Sequence, residues 1–138
     1  MTSQFHNRSM PTSTIIPVLG YPDVRAAVDW LCGAFGFTER LRIGDHRAQL
    51  SFGDGNMVVA EGKPVSAANH SIMVRVMDVD QHCERARKFG ANILSAPTDF
   101  PYGERQYSVE DLGGHHWKFS QSITDVEPAS WGGTLIES

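Results

Sequence analysis

Three side chains able to do chemistry alternate along one short segment: His116, Lys118 and Ser120, with Trp117 and Phe119 between them. An imidazole can move a proton near neutral pH, and an ammonium can hold an anion. Period-two alternation marks a strand with two different faces. It sends Trp117 and Phe119 into a core and turns His116 and Lys118 toward a cavity. The partner strand is Arg105 to Glu110, reached through Asp111-Leu112-Gly113-Gly114. Glycine supplies the positive φ angles that such a reversal needs.

Parity extended to the other apolar runs gathers more side chains on the face opposite the helices. Ile16 and Val18 come first, then Arg47, Gln49 and Ser51, then Met57, Val59 and Glu61, then Ser71, Met73 and Arg75. An apolar floor with several convergent polar groups is the pattern of a small-molecule site. Arg47, Arg75 and Lys118 favour an anionic or oxygen-rich ligand, because cationic side chains pair with carboxylates. Tyr102, Glu104 and Arg105 belong to the longest connection, where Pro101 and Gly103 can shape a lid. The competing reading has Glu104 and Arg105 fixing that loop while Tyr102 packs. The expected ligand contacts are Arg47, Gln49, Glu61, Arg75, Tyr102, Arg105, His116 and Lys118.

Two helices must position these strands. Val24, Ala27, Val28, Leu31 and Phe35 recur at helical spacing, with Asp23 as cap and Gly36 as stop. Val79, Cys83, Ala86 and Phe89 repeat the arrangement after Asp78 and before Gly90. Strands are expected over residues 15–20, 38–43, 47–52, 57–61, 71–76, 92–96, 105–110 and 115–121, with a hairpin turn at Gly53-Asp54-Gly55-Asn56. The matched caps, strand counts and turns indicate an internal duplication of a βαβββ unit. Residues 1–13 read as a disordered polar tail and 14–121 as the folded domain. Its modules are 14–61 and 70–121, joined by the linker 62–69, and residues 122–138 form a C-terminal tail.

The net charge of −4 over 138 residues, without a basic run, argues against nucleic-acid binding. No apolar stretch approaches the ~20 residues that cross a bilayer, and the N-terminus lacks a secretory segment. Cys32 and Cys83 both fall in helices, so buried reduced thiols and a cytoplasmic setting are expected. His46 and His82 read as surface residues.

The segments VLGYPDVRAAVDWL (18–31), VMDVD (76–80) and DLGGHHWKF (111–119), set in this duplicated layout, resemble the glyoxalase/bleomycin resistance/dioxygenase, or vicinal oxygen chelate, superfamily. The resemblance spans residues 14–121. It implies an α+β fold in which two βαβββ modules form a curved mixed sheet around a cavity. Metal enzymes of the family place four ligands at positions that fall here on Ile16, Glu61, Ser71 and Lys118. Only Glu61 is a ligand type, so no metal and no cofactor are expected. The resemblance thus implies a metal-independent binding protein and a homodimer. The alternative is a metal-dependent lyase, isomerase or dioxygenase, with a one-residue bulge bringing His70 to join His116 and Glu61.

Overall fold

The computed structural model describes residues 7–65 and 69–136. The chain divides into two compact units, Met1–Val65 and Ser66–Ser138. The first contains β1 (Val18–Tyr21), α1 (Val24–Phe35), β2 (Thr38–Ile43), β3 (Arg47–Phe52) and β4 (Gly55–Glu61). The second contains β5 (Ile72–Arg75), α2 (Val79–Lys88), β6 (Asn92–Asp99), β7 (Glu104–Glu110) and β8 (His116–Ser122), followed by a 3-10 turn over Pro128–Trp131.

Both helices begin as their capping residues dictate. The Asp23 carboxylate accepts the Ala26 amide at 3.1 Å, and the Asp78 carboxylate accepts the Gln81 amide at 3.0 Å. Gly36, at φ 88°, closes α1 in the left-handed conformation. Helix α2 stops at Lys88, one residue earlier than the apolar spacing implies. Phe89, expected inward, is instead 49% exposed, because it is the cap and has left the helical face.

The sheets correct one expectation. A single curved mixed sheet around a cavity is not formed. The strands pair into two separate open sheets of four, ordered β1-β4-β3-β2 and β5-β8-β7-β6. In each, the first strand runs parallel to the last and the remaining pairs are antiparallel. The hydrogen-bond ladder ends at β1 and β2 in one sheet and at β5 and β6 in the other, so neither closes on itself. The duplicated βαβββ arrangement itself is present.

One face of each sheet packs beneath its own helix. In the first unit Tyr21, Leu50 and Val59 join Val28 and Leu31 of α1 in the core. In the second, Tyr107, Trp117 and Phe119 stack with centroid separations of 5.4 and 6.1 Å. Burying each such aromatic stabilises the fold by roughly 1.5–3 kcal/mol through transfer from water. His82 of α2, expected at the surface, lies 4.1 Å from the Phe119 ring and places Nδ1 2.6 Å from the Tyr107 hydroxyl. Burial pushes the Tyr107 phenol well above its ordinary value. Neither Cys32 nor Cys83 is in a disulfide; Cys83 is buried and Cys32 half-buried, and burial pushes both thiols up.

The β7–β8 turn is organised by Asp111. Its Oδ1 accepts the amides of Gly113 and His115, each at 2.9 Å, and its Oδ2 accepts the Trp117 indole at 2.9 Å. Farther along, Gly103 has φ 85° and its carbonyl accepts the amides of Ile123 and Thr124 at 2.9 and 3.4 Å. A Cβ at position 103 would stand 2.4 Å from the Thr124 carbonyl oxygen.

At the N-terminus, residues 1–6 of the expected tail lie outside the described residues. Residues 8–13 make contacts with the first sheet that are described below. No described helix is long and apolar enough to cross a membrane.

Candidate functional site

Register decides which side chains share a face. In the second sheet Met73 pairs with Lys118, Arg75 with Ser120, Ser108 with Lys118, and Glu110 with His116. These residues, polar apart from Met73, therefore stand on the face opposite the Trp117 and Phe119 rings, as alternation requires. A pocket of about 400 Å³ opens there, lined by Asn69, His70, Ser71, Leu94, Ser108, His116, Trp117 and Lys118. Its volume suits a small ligand.

Within the pocket the His116 Nε2 lies 3.1 Å from Glu110 Oε2, which fixes the ring orientation. Among the described residues the Lys118 ammonium makes no hydrogen bond and no ion pair. Beside the pocket, Glu104 accepts hydroxyl hydrogen bonds from Ser120 at 2.6 Å and from Ser122, and Arg75 stands 3.8 Å from its Oε1. Burial opposes ionisation of Glu104, but the two hydroxyls and Arg75 outweigh it and hold its carboxyl below the usual range. Ser120 also accepts Gln106 Nε2 at 3.0 Å, and Tyr102 donates to Gln106 Oε1 at 3.1 Å. Tyr102 is flanked by Phe100 at 5.5 Å and Trp131 at 5.3 Å.

The other expected contacts distribute differently. Arg105 pairs with Asp80 of α2 at 3.0 Å and with Asp99 at 2.9 Å, so it serves helix docking on the opposite face. Glu61 belongs to the first unit. The β3–β4 register couples Gln49 with Val58 and Ala48 with Val59, so Met57, Val59 and Glu61 follow Leu50 rather than Gln49. Glu61 is exposed at the strand end, and Arg47 is exposed at the start of β3. Gln49 is buried and engaged by neighbours within its own unit.

Alternation in the sequence left several pocket residues unseen. Leu94 reaches it because the β6–β7 register shifts between Ile93 and Ser95, and a bulge has no reliable sequence signature. Glu110 and Ser108 were findable by counting outward from the Asp111 turn, which pairs them with His116 and Lys118.

The donor set does not fit the metal that the resemblance makes an alternative. His70 and His116 do share the pocket, but its other lining groups are amide, hydroxyl, apolar and ammonium. Among the described residues no group of three or more His, Cys, Asp and Glu is placed to hold an ion. Lys118 brings a positive charge to the same pocket, which opposes binding of a metal cation there.

Comparisons with known proteins agree with the fold. The crystal structure of TioX from Micromonospora sp. ML1 is 40% identical, with a TM-score of 0.69 over 80% of this chain and 99% of that one. The FosX fosfomycin resistance protein of Listeria monocytogenes, solved with Mn(II) and sulfate, gives a TM-score of 0.70 at 14% identity over 83% of this chain and 93% of that one, a likeness of fold alone. The uncharacterized protein Mb0911c of Mycobacterium bovis is 37% identical over 65 residues, 47% of this chain. The match spans only 40% of that protein's length. The family model of the Glyoxalase/Bleomycin resistance protein/Dioxygenase superfamily matches residues 15–119. With the duplicated βαβββ units and a ligand-sized pocket, the chain belongs to that superfamily.

Proposed function

We propose that the open face of the second sheet binds a small anionic or oxygen-rich molecule without a metal. The observation that carries this reading is Lys118, an ammonium without a partner among the described residues, set in a pocket beside His70, His116, Ser71 and Ser108. An anion entering there replaces lost hydration with a charge-assisted hydrogen bond. Neighbouring hydroxyls and imidazoles supply further donors. Arg75, Tyr102 and Gln106 stand at the edge of the same face, and the Phe100–Tyr102–Trp131 cluster offers flat apolar surface to a ligand that extends beyond the pocket. The domain limits 14–121, a homodimer, a cytoplasmic setting and the absence of nucleic-acid and membrane partners complete the reading.

Calorimetric titration with small carboxylates and phosphonates, each compared with its neutral ester, tests it. The acids should bind and the esters should not. Lys118→Met should weaken binding by roughly tenfold or more, as expected for a hydrogen bond to a charged group. Equal binding of acids and esters overturns the anion reading. The second reading, a metal enzyme, draws on His70 and His116 meeting in one pocket. Elemental analysis after incubation with Mn, Zn, Ni or Fe salts separates the two. One equivalent of metal per chain, lost in His116→Ala, would replace binding with metal chemistry.

A further inference from the structure

The two sheets carry the same irregularity at the same place. In β2 the register shifts between Glu39 and Leu41, leaving Arg40 as the extra residue, and in β6 it shifts between Ile93 and Ser95, leaving Leu94. Following the ladders inward makes Gln49 the counterpart of Ser108, because they pair with Val58 and Lys118 respectively. Two residues earlier in β4 and β8, Asn56 corresponds to His116. In the second sheet Leu94, Ser108 and His116 line the open pocket. Their counterparts Arg40, Gln49 and Asn56 all bind the chain's own N-terminal segment.

That binding reads backbone more than side chains. Arg40 Nη2 donates to the carbonyls of Arg8 at 2.8 Å and Met10 at 3.2 Å. Gln49 Nε2 donates to the carbonyl of Ser9 at 2.9 Å. The other guanidinium nitrogen of Arg40 donates to Gln49 Oε1, which fixes the amide with its NH2 toward Ser9. Asn56 Nδ2 donates to the Ser13 hydroxyl at 3.1 Å while its Oδ1 accepts Ser51 at 2.8 Å. Three consecutive carbonyls are thus met by side chains that fix each other's orientation, and Gln49 is 4% exposed. Preorganised donors of this kind lower the ordering cost of whatever they bind.

We infer that the face of the first sheet opposite α1 is a second binding site, for a peptide that presents turn carbonyls as residues 8–13 do in cis, where the Met10 amide donates to the Asn7 carbonyl at 3.1 Å. Variation of residues 9–12 that preserves the backbone path is tolerated, whereas loss of Arg40 releases the segment.

Two measurements test this. In the full chain, trypsin cleavage after Arg8 should be at least several-fold faster in Arg40→Met and Gln49→Leu than in the parent, with unchanged circular dichroism. In a chain starting at residue 14, a dye-labelled peptide of residues 7–14 should bind saturably at one per chain, and Arg40→Met should weaken it tenfold or more. Equal cleavage rates in parent and variants overturn the inference, as does a folded shortened chain that ignores the peptide. Should the shortened chain not fold, the cleavage rates decide alone.

Discussion

Asp111 shows how much one side chain can organise. It satisfies two buried amides and an indole N–H, and it is itself 5% exposed. Asp111→Ala leaves those donors unmet at a cost of about 1–3 kcal/mol for each that finds no water. A loss of roughly 2–4 kcal/mol is therefore expected, read as a lower urea midpoint with an unchanged slope. Asp111→Asn keeps an acceptor for the amides but presents NH2 to the indole, so it should fall between the two. An alanine variant as stable as the parent would show that water replaces the carboxylate. The aspartate and its glycines were legible in the sequence as a turn. Its grip on Trp117 was not, because a pattern reports faces and not hydrogen bonds.

At the scale of elements, α1 is fastened to β2 by one carboxylate. Glu39 receives Arg25 through both nitrogens at 2.7 and 3.0 Å, and Arg42 at 2.9 Å from its own strand. These hydrogen bonds, Arg25 first, lower its pKa from 4.5 to about 2, overcoming partial burial. A carboxyl depressed in the folded state stabilises fully above its unfolded value, and that stability is lost as pH falls through the folded value. Glu39 should therefore contribute at pH 6 and progressively less from about pH 4.5 down to about 2. The stability difference between the parent and Glu39→Gln, followed by urea denaturation across this range, should shrink toward acid. Parallel curves would remove the clamp from the account. The helix caps were legible because aspartate before a periodic apolar run has one common reading. Strand facing was legible for β8 but failed for β4. The two-residue loop Gly53-Asp54 pairs odd-numbered with even-numbered residues, so Gln49 shares its face with Val58 and not with Glu61. Counting parity straight through a turn without fixing its length carries this error.

For the molecule as a whole, duplication was the most legible feature and divergence the least. Nearly equal spacing between caps revealed two βαβββ units, and the repeated element order and strand order show them. Nothing in the spacing disclosed that Arg40 and Leu94 occupy equivalent bulges, or that one sheet presents an open pocket while the other grips residues 8–13. Recognition through backbone carbonyls leaves no side-chain pattern, so a Ser- and Thr-rich segment reads as disorder. The two units share one backbone plan, and the residues at the bulge decide what each face holds. Gly103 has a different reach. Its carbonyl and its missing side chain join the loop before β7 to residues 123 and 124. For grafting, the loop and the C-terminal segment are therefore one part. A relative's loop transplanted without its own C-terminal segment would bring the wrong seat, and a library diversifying this loop keeps folded members only where position 103 remains glycine.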